Sequence, residues 1–156
     1  MKSFFCALLI LAAAHLALAE DTSFSNVKVP HLSGKQTKAV LIFSDTQKAI
    51  LVRPVKGNPL TVPYSEIDKC SYQFSRKHRI KTGFVVTAIG AIPIGPVVML
   101  TRSKVHWLEV DYHQQDARQN LVLRMDKRNY PQILDAVTAH TGIEPEVLGN
   151  VDKRSK

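Results

Sequence analysis

Short apolar, β-rich runs separated by polar turns recur along much of this chain, which is the layout of strands joined in hairpins. The first clear run is Ala39-Val40-Leu41-Ile42-Phe43, and Ala49-Ile50-Leu51-Val52-Arg53 is the second. Between them Ser44-Asp45-Thr46-Gln47 is a polar turn, so the pair predicts a hairpin. Residues 54–59, with Gly57-Asn58 inside, predict another turn. Leu60 to Tyr64 then reads as a short strand, which Pro63 places at a sheet edge or a strand end. Ser65 to Asp68 predicts one helical turn capped by Ser65. Cys70, Tyr72 and Phe74 alternate with Lys69, Ser71, Gln73 and Ser75 as a further strand. Strand character returns at Val105 to Tyr112 and, after a polar turn over His113 to Arg118, at Asn120 to Met125.

The period changes once near the end. Tyr130, Ile133, Leu134, Val137 and Thr141 share one helical stripe, with Asn129 as the cap, Pro131 in the first turn and Gly142 as the stop. Residues 143–156 read as a polar tail, and 20–37 as a polar arm with one short strand around Val27 to Val29.

Two longer segments are almost wholly apolar. The first is N-terminal: Lys2, the apolar run Phe4 to Leu18, then Ala17-Leu18-Ala19 before Glu20 and Asp21. This is the layout of a secretory signal peptide at 1–19, cleaved after Ala19, and it predicts an extracytoplasmic or periplasmic protein. An uncleaved anchor is the alternative. Cys6 lies too early in the run to be a lipid-modified residue. The mature chain then keeps a single cysteine, Cys70, so it forms no internal disulfide and relies on packing. Cys70 itself reads as a small core residue.

The second segment is Gly83 to Leu100, and charge changes how it reads. The whole chain carries +8. Lys69 to Leu108 holds seven of its basic residues and no Asp or Glu, so the net charge of the mature chain sits around its most apolar run. A single transmembrane helix needs about 20 apolar residues; here 18 are available, broken by Pro93 and Pro96. Such a span would also separate the earlier strands from the later ones. A hairpin turning at Ile92 to Pro96 keeps both ends on one side.

In pattern and order, three stretches resemble the pleckstrin-homology-like superfold, in particular the bacterial PH and GRAM-like domains. They are Ala39 to Arg53, Leu60 to Cys70, and Leu121 to Gly142 with its Asn-Tyr-Pro helix start. The resemblance implies a mainly β (α+β) fold over 38–142: a small antiparallel bent sheet or barrel capped by one C-terminal helix. It also implies a non-catalytic module that binds lipids, peptides or proteins. The departure is the apolar hairpin insertion at 83–101.

That insertion supplies the candidate contact residues: Phe84, Val85, Val86, Ile89, Ile92, Ile94, Val97, Val98, Met99 and Leu100 for a membrane or partner. Arg76, Lys77, Arg79, Lys81, Arg102 and Lys104 are then placed to meet anionic head groups. The expected partner is an anionic lipid surface, with a protein partner or a homo-oligomer as the alternative, and no nucleic acid. Catalytic signals are missing from the sequence. There is no Gly-x-Ser-x-Gly elbow, no Gly-rich phosphate loop and no Cys-x-x-Cys pair. Glu109, Asp111 and His113 share a strand face, which reads as a solvated face in preference to a metal site. No cofactor or metal is expected. The expected role is an exported binding or scaffolding module at a membrane surface. A homo-oligomeric envelope structural protein and a small envelope enzyme are the alternatives.

Overall fold

A computed structural model describes residues 21–30, 36–79, 85–86 and 98–148, giving only the backbone course for 77–79, 85–86 and 98–102. The leader at 1–19, the contact residues Phe84, Ile89, Ile92, Ile94, Val97 and Lys81, and the chain beyond Leu148 lie outside the described residues.

Nine strands form one sheet: β1 (Thr22–Pro30), β2 (Gln36–Ser44), β3 (Ala49–Pro54), β4 (Leu60–Pro63), β5 (Ile67–Arg79), β6 (Val85–Val86), β7 (Val98–Gln114), β8 (Ala117–Met125) and β9 (Glu146–Leu148). The order across the sheet is β4-β3-β2-β1-β8-β7-β5-β9, with β6 beside β8. Among the described residues one α-helix, α1 (Tyr130–Thr141), follows β8.

The predicted hairpin over 39–53 forms with Phe43 opposite Ile50 and Leu41 opposite Val52. β4 is the sheet's first edge and ends on Pro63, where no ladder donor is needed. The other edge, β9, adds three residues parallel to β5 at Ser71 to Gln73. The barrel alternative is therefore corrected to an open bent sheet. Among the described residues β4 and β9 do not pair, and β9 occupies the edge of β5 that closure would require.

Three local expectations also change. β1 is a nine-residue strand between β2 and β8, with Val27 and Val29 buried, and not a peripheral arm. The turn after β4 is a 3₁₀ turn over Tyr64–Glu66, entered from Pro63 with no side-chain cap, so Ser65 does not cap it. The stretch read as a polar tail contributes β9; three residues are too few to show a strand period.

α1 lies on one face of the sheet. Ile133, Ala136 and Val137 are buried against a core that includes Leu41, Phe43, Ile50, Val52, Leu121 and Leu123. Burying a side chain of the Ile133 or Val137 class contributes about 1.5–3 kcal/mol. Gly142 ends the helix at φ 72°, its N–H bonded to the Thr138 carbonyl at 3.0 Å.

The sheet is sharply bent. Arg79 pairs with Val98 at the far end of the β5–β7 hairpin. Val86 pairs with Asn120, Asn120 with Asp111, and Asp111 with Lys69. In a flat sheet Arg79 and Val86 would lie ten residues apart along the strands, about 33 Å. Only seven Cα–Cα steps of chain separate them, with a reach of about 25 Å. The far end of the hairpin must therefore curl back toward β8. Its ladder is broken between Ser75 and Lys77, where the four residues Thr101 to Lys104 oppose Arg76 alone.

Candidate functional site

The ladder break opens a cleft. β8 pairs with β7 only as far as His106 opposite Met125, and β7 continues past it toward Val98. On the other side β8 meets β1 through one rung, Lys28 opposite Arg124. Beyond Met125 β8 ends and the chain turns into α1, with Asn129 Nδ2 donating to the Ser25 carbonyl of β1 and Tyr130 stacked on His106 of β7, which leaves a slot beside this turn. Asn26 and Lys28 of β1 line this slot from one side, and Ser103, Lys104, Val105 and His106 of β7 from the other. Arg124 to Lys127 close its base, Phe74 adds an aromatic wall, and the volume is about 380 Å³. Two irregular strands shape it. Asn26 sits in the β1 bulge at φ 67°, a left-handed conformation that Asn tolerates, and the other is the β7 bulge.

Four cations meet here, Lys28, Lys104, Arg124 and Lys127, against one acid, Asp126. Arg124 Nη1 donates to Gln36 Oε1 at 2.8 Å. Asp126 turns inward on its own loop, accepting from the Arg128 N–H at 2.9 Å.

The wall is a stack of rings. His106 lies 3.8 Å from Tyr130 and 4.6 Å from Phe74 between centroids, and Tyr72 continues the stack at 5.7 Å from Tyr130. His106 Nδ1 is 2.8 Å from the Tyr72 hydroxyl. Burial lowers the His106 pKa from its usual value, opposed in part by Asp126. Burial likewise raises the Tyr72 hydroxyl, with Tyr130 adding to the effect. The Tyr72 hydroxyl and His106 Nδ1 share a hydrogen bond in which the imidazole tautomer sets donor and acceptor.

Of the residues singled out in the sequence, Lys104 is brought into this cleft. Arg76 lies opposite the β7 bulge, and Lys77 and Arg79 continue β5 opposite Leu100 and Val98. Val98, Met99 and Leu100 are strand residues of β7, while Val85 and Val86 pair with Gln119 and Asn120 of β8. Lys28, Arg124 and Lys127 were missed. They are scattered singly through sequence of mixed charge, and only the strand order unites them.

The face bearing Glu109 and Asp111 is corrected. These carboxylates are 3% and 5% exposed, not solvated, and Asn120 Nδ2 donates to Glu109 at 2.6 Å and to Asp111 at 2.5 Å. His113 does not join them. It is exposed, with Nδ1 2.7 Å from Asp68. Among the described residues no group of His, Cys, Asp and Glu is arranged to hold a metal ion. Cys70 is buried as expected, and desolvation pushes its thiol up to about 12, far from any reactive thiolate.

No model of a known protein family matches the chain, and no curated protein matches it. Among solved structures, a chain of the Spt16D–Pob3N heterodimer is similar at a TM-score of 0.53, with 12% identity over 88% of this chain. The match spans 60% of that chain. With the strand order, the open bend and the single C-terminal helix already in place, this decides the architecture. The fold is PH-like. At this identity the similarity carries the fold and nothing finer. In this PH-like sheet the cleft lies between β1 and β7, at the end of β8.

Proposed function

We propose that this protein is an exported, non-catalytic binding module that rests on an anionic membrane surface through its apolar stretch at 83–101. The pairing of Arg79 with Val98 carries the reading. Chain that leaves the β5–β7 hairpin at Arg79 rejoins it on the neighbouring strand, as a detour does and a single crossing does not. The same pairing gathers cations from both flanks: Arg76, Lys77 and Arg79 on β5, Arg102 and Lys104 on β7. Each contributes about 1 kcal/mol near an anionic surface and less at high salt. No described helix is long and apolar enough to cross a membrane. Export is supported by the Lys2, Phe4 to Leu18 and Ala17-Leu18-Ala19 layout. A PH-like fold supports binding over catalysis.

Flotation of the mature chain with vesicles tests this. The protein should float with anionic vesicles and not with neutral ones. Arg76→Glu with Arg79→Glu, or removal of 87–97, should abolish flotation. The secreted chain should begin at Glu20.

A second reading, in which the stretch serves a protein partner, is favoured by one observation: Val85 and Val86 lie on β8 as a strand. The similar solved structure is itself that of a heterodimer. If neither chain floats and removal of 87–97 changes only the oligomeric mass, the membrane reading falls and this one stands.

A further inference from the structure

We propose that the slot at the end of β8 is a binding site for a small organic molecule that carries two phosphate groups. The proposal goes beyond the membrane reading and does not use the apolar stretch.

Charge is the first argument. Lys28, Lys104, Arg124 and Lys127 line one cavity with a single acid, Asp126, which leaves three positive charges in excess. Asp126 is itself engaged by the Arg128 N–H. Among the described residues no carboxylate pairs with Lys28, Arg124 or Lys127, and Arg124 bonds only the neutral amide of Gln36. The one rung joining β1 to β8 sets Lys28 directly opposite Arg124, so two half-buried cations repel across one face of the sheet. Local choices that work against the fold concentrate at functional sites. A phosphate monoester carries about −1.5 to −2 at pH 7, so two of them match the excess and remove the repulsion.

The chemistry of the lining is the second argument. Lysine and arginine side chains only donate. Each phosphate brings three strong acceptor oxygens, where a carboxylate brings two, and an arginine fork takes two of them in parallel. Gln36 already holds Arg124 Nη1 at 2.8 Å, which restrains the guanidinium before a ligand arrives.

Size is the third. The volume of about 380 Å³ falls within the range of small-molecule pockets, about 300–1,000 Å³, and leaves room for a carbon skeleton between the two anionic groups. Phe74, 40% exposed and stacked on His106 at 4.6 Å, joins Val105 and Met125 as an apolar wall for that skeleton.

The test is calorimetric titration of the mature chain with fructose 1,6-bisphosphate. Fructose 6-phosphate and citrate, at the same ionic strength, serve as controls. The bisphosphate should bind, and each control should bind at least tenfold more weakly. Lys28→Glu converts the repulsive rung into an ion pair with Arg124. That variant should unfold at the same or a higher temperature while losing at least tenfold in affinity, which separates a site from a folding defect. Lys127→Gln should lose affinity as well, whereas Lys56→Gln, at an exposed lysine outside the cleft, should not. Equal binding of citrate overturns the phosphate assignment, and equal binding of fructose 6-phosphate overturns the second phosphate. No binding of the bisphosphate, or binding undisturbed by Lys28→Glu and Lys127→Gln together, overturns the site. A competition arm separates a free molecule from a lipid head group bearing the same two phosphates. Fructose 1,6-bisphosphate should leave flotation with cardiolipin and with phosphatidylserine vesicles unchanged if the site takes a free molecule; release from cardiolipin alone assigns the phosphates to a lipid. The calorimetry is read the same way whether or not the chain floats.

Discussion

His106 holds its proton less readily than the unfolded chain does, because burial partly desolvates its ring. The unfolded imidazole titrates near 6.5. Between that pH and the lower folded value the unfolded state binds more protons, so stability rises with pH. The His106 contribution is intact above about pH 6.5 and drains away as pH falls below it. His106→Phe keeps a ring in the stack and removes the proton site. Thermal unfolding of that variant should depend less on pH between 7.5 and 5 than wild type. Asp45 behaves in the opposite sense, its pKa lowered first by the hydrogen bond from His140. Its contribution is present above the ordinary carboxylate value and is lost only as pH drops through the lower folded one. Cys70 should resist alkylation at pH 8 in the folded protein and react fully in urea. Protection lost without denaturant would contradict its burial. Of these residue properties the sequence announced the burial of Cys70, because its neighbours alternate. It misjudged Glu109 and Asp111, because two carboxylates spaced by two read as a wet face until Asn120 from another strand is seen beneath them.

At the scale of elements, α1 and its stop were legible from period and punctuation. Gly142 carries the left-handed turn, and Gly142→Ala should cost roughly 1–2 kcal/mol in urea unfolding, since a Cβ is strained at φ 72° even with open space around it. Ile133→Ala removes a fully buried side chain and should cost about 2–5 kcal/mol. The N-terminal cap was read only in part. Asn129 occupies the position, but its amide donates to the Ser25 carbonyl at 3.2 Å and ties the helix start to β1. β9 carried no readable signal, yet it covers the β5 edge, with Lys69 ion-paired to Glu146. Truncation after Pro145 should uncover that edge and raise the apparent mass in concentration-dependent light scattering. An unchanged monomer would show that β9 protects nothing.

For the whole molecule, the strand sequence β2 to β5 and β7 to β8 followed from apolar runs and turn residues, and the PH-like outline with it, while of β1 only the stretch Val27 to Val29 was read. The neighbour relations did not. Nothing in the run Thr22 to Pro30 says that β1 lies between β2 and β8, because pairing at a separation near one hundred residues leaves no local trace. The bend was hidden for a similar reason. It depends on four residues of β7 opposing one of β5, which becomes visible only when two distant strands are laid side by side. The cleft inherits both blind spots, since it exists where the order and the bulges coincide.

The lone rung between residues 28 and 124 also says something about how the chain reaches this state. β1 to β4 form a meander of short-range contacts, and β5, β7 and β8 form a second antiparallel set, with β6 parallel to β8. Closing a loop of nearly a hundred residues for one rung returns little against its entropy, so this seam should zip last. Substitutions at Lys28 or Arg124 should leave the refolding rate nearly constant and change the unfolding rate instead, giving φ-values near zero in a chevron analysis. A slowed refolding limb for either one would move the seam into the nucleus.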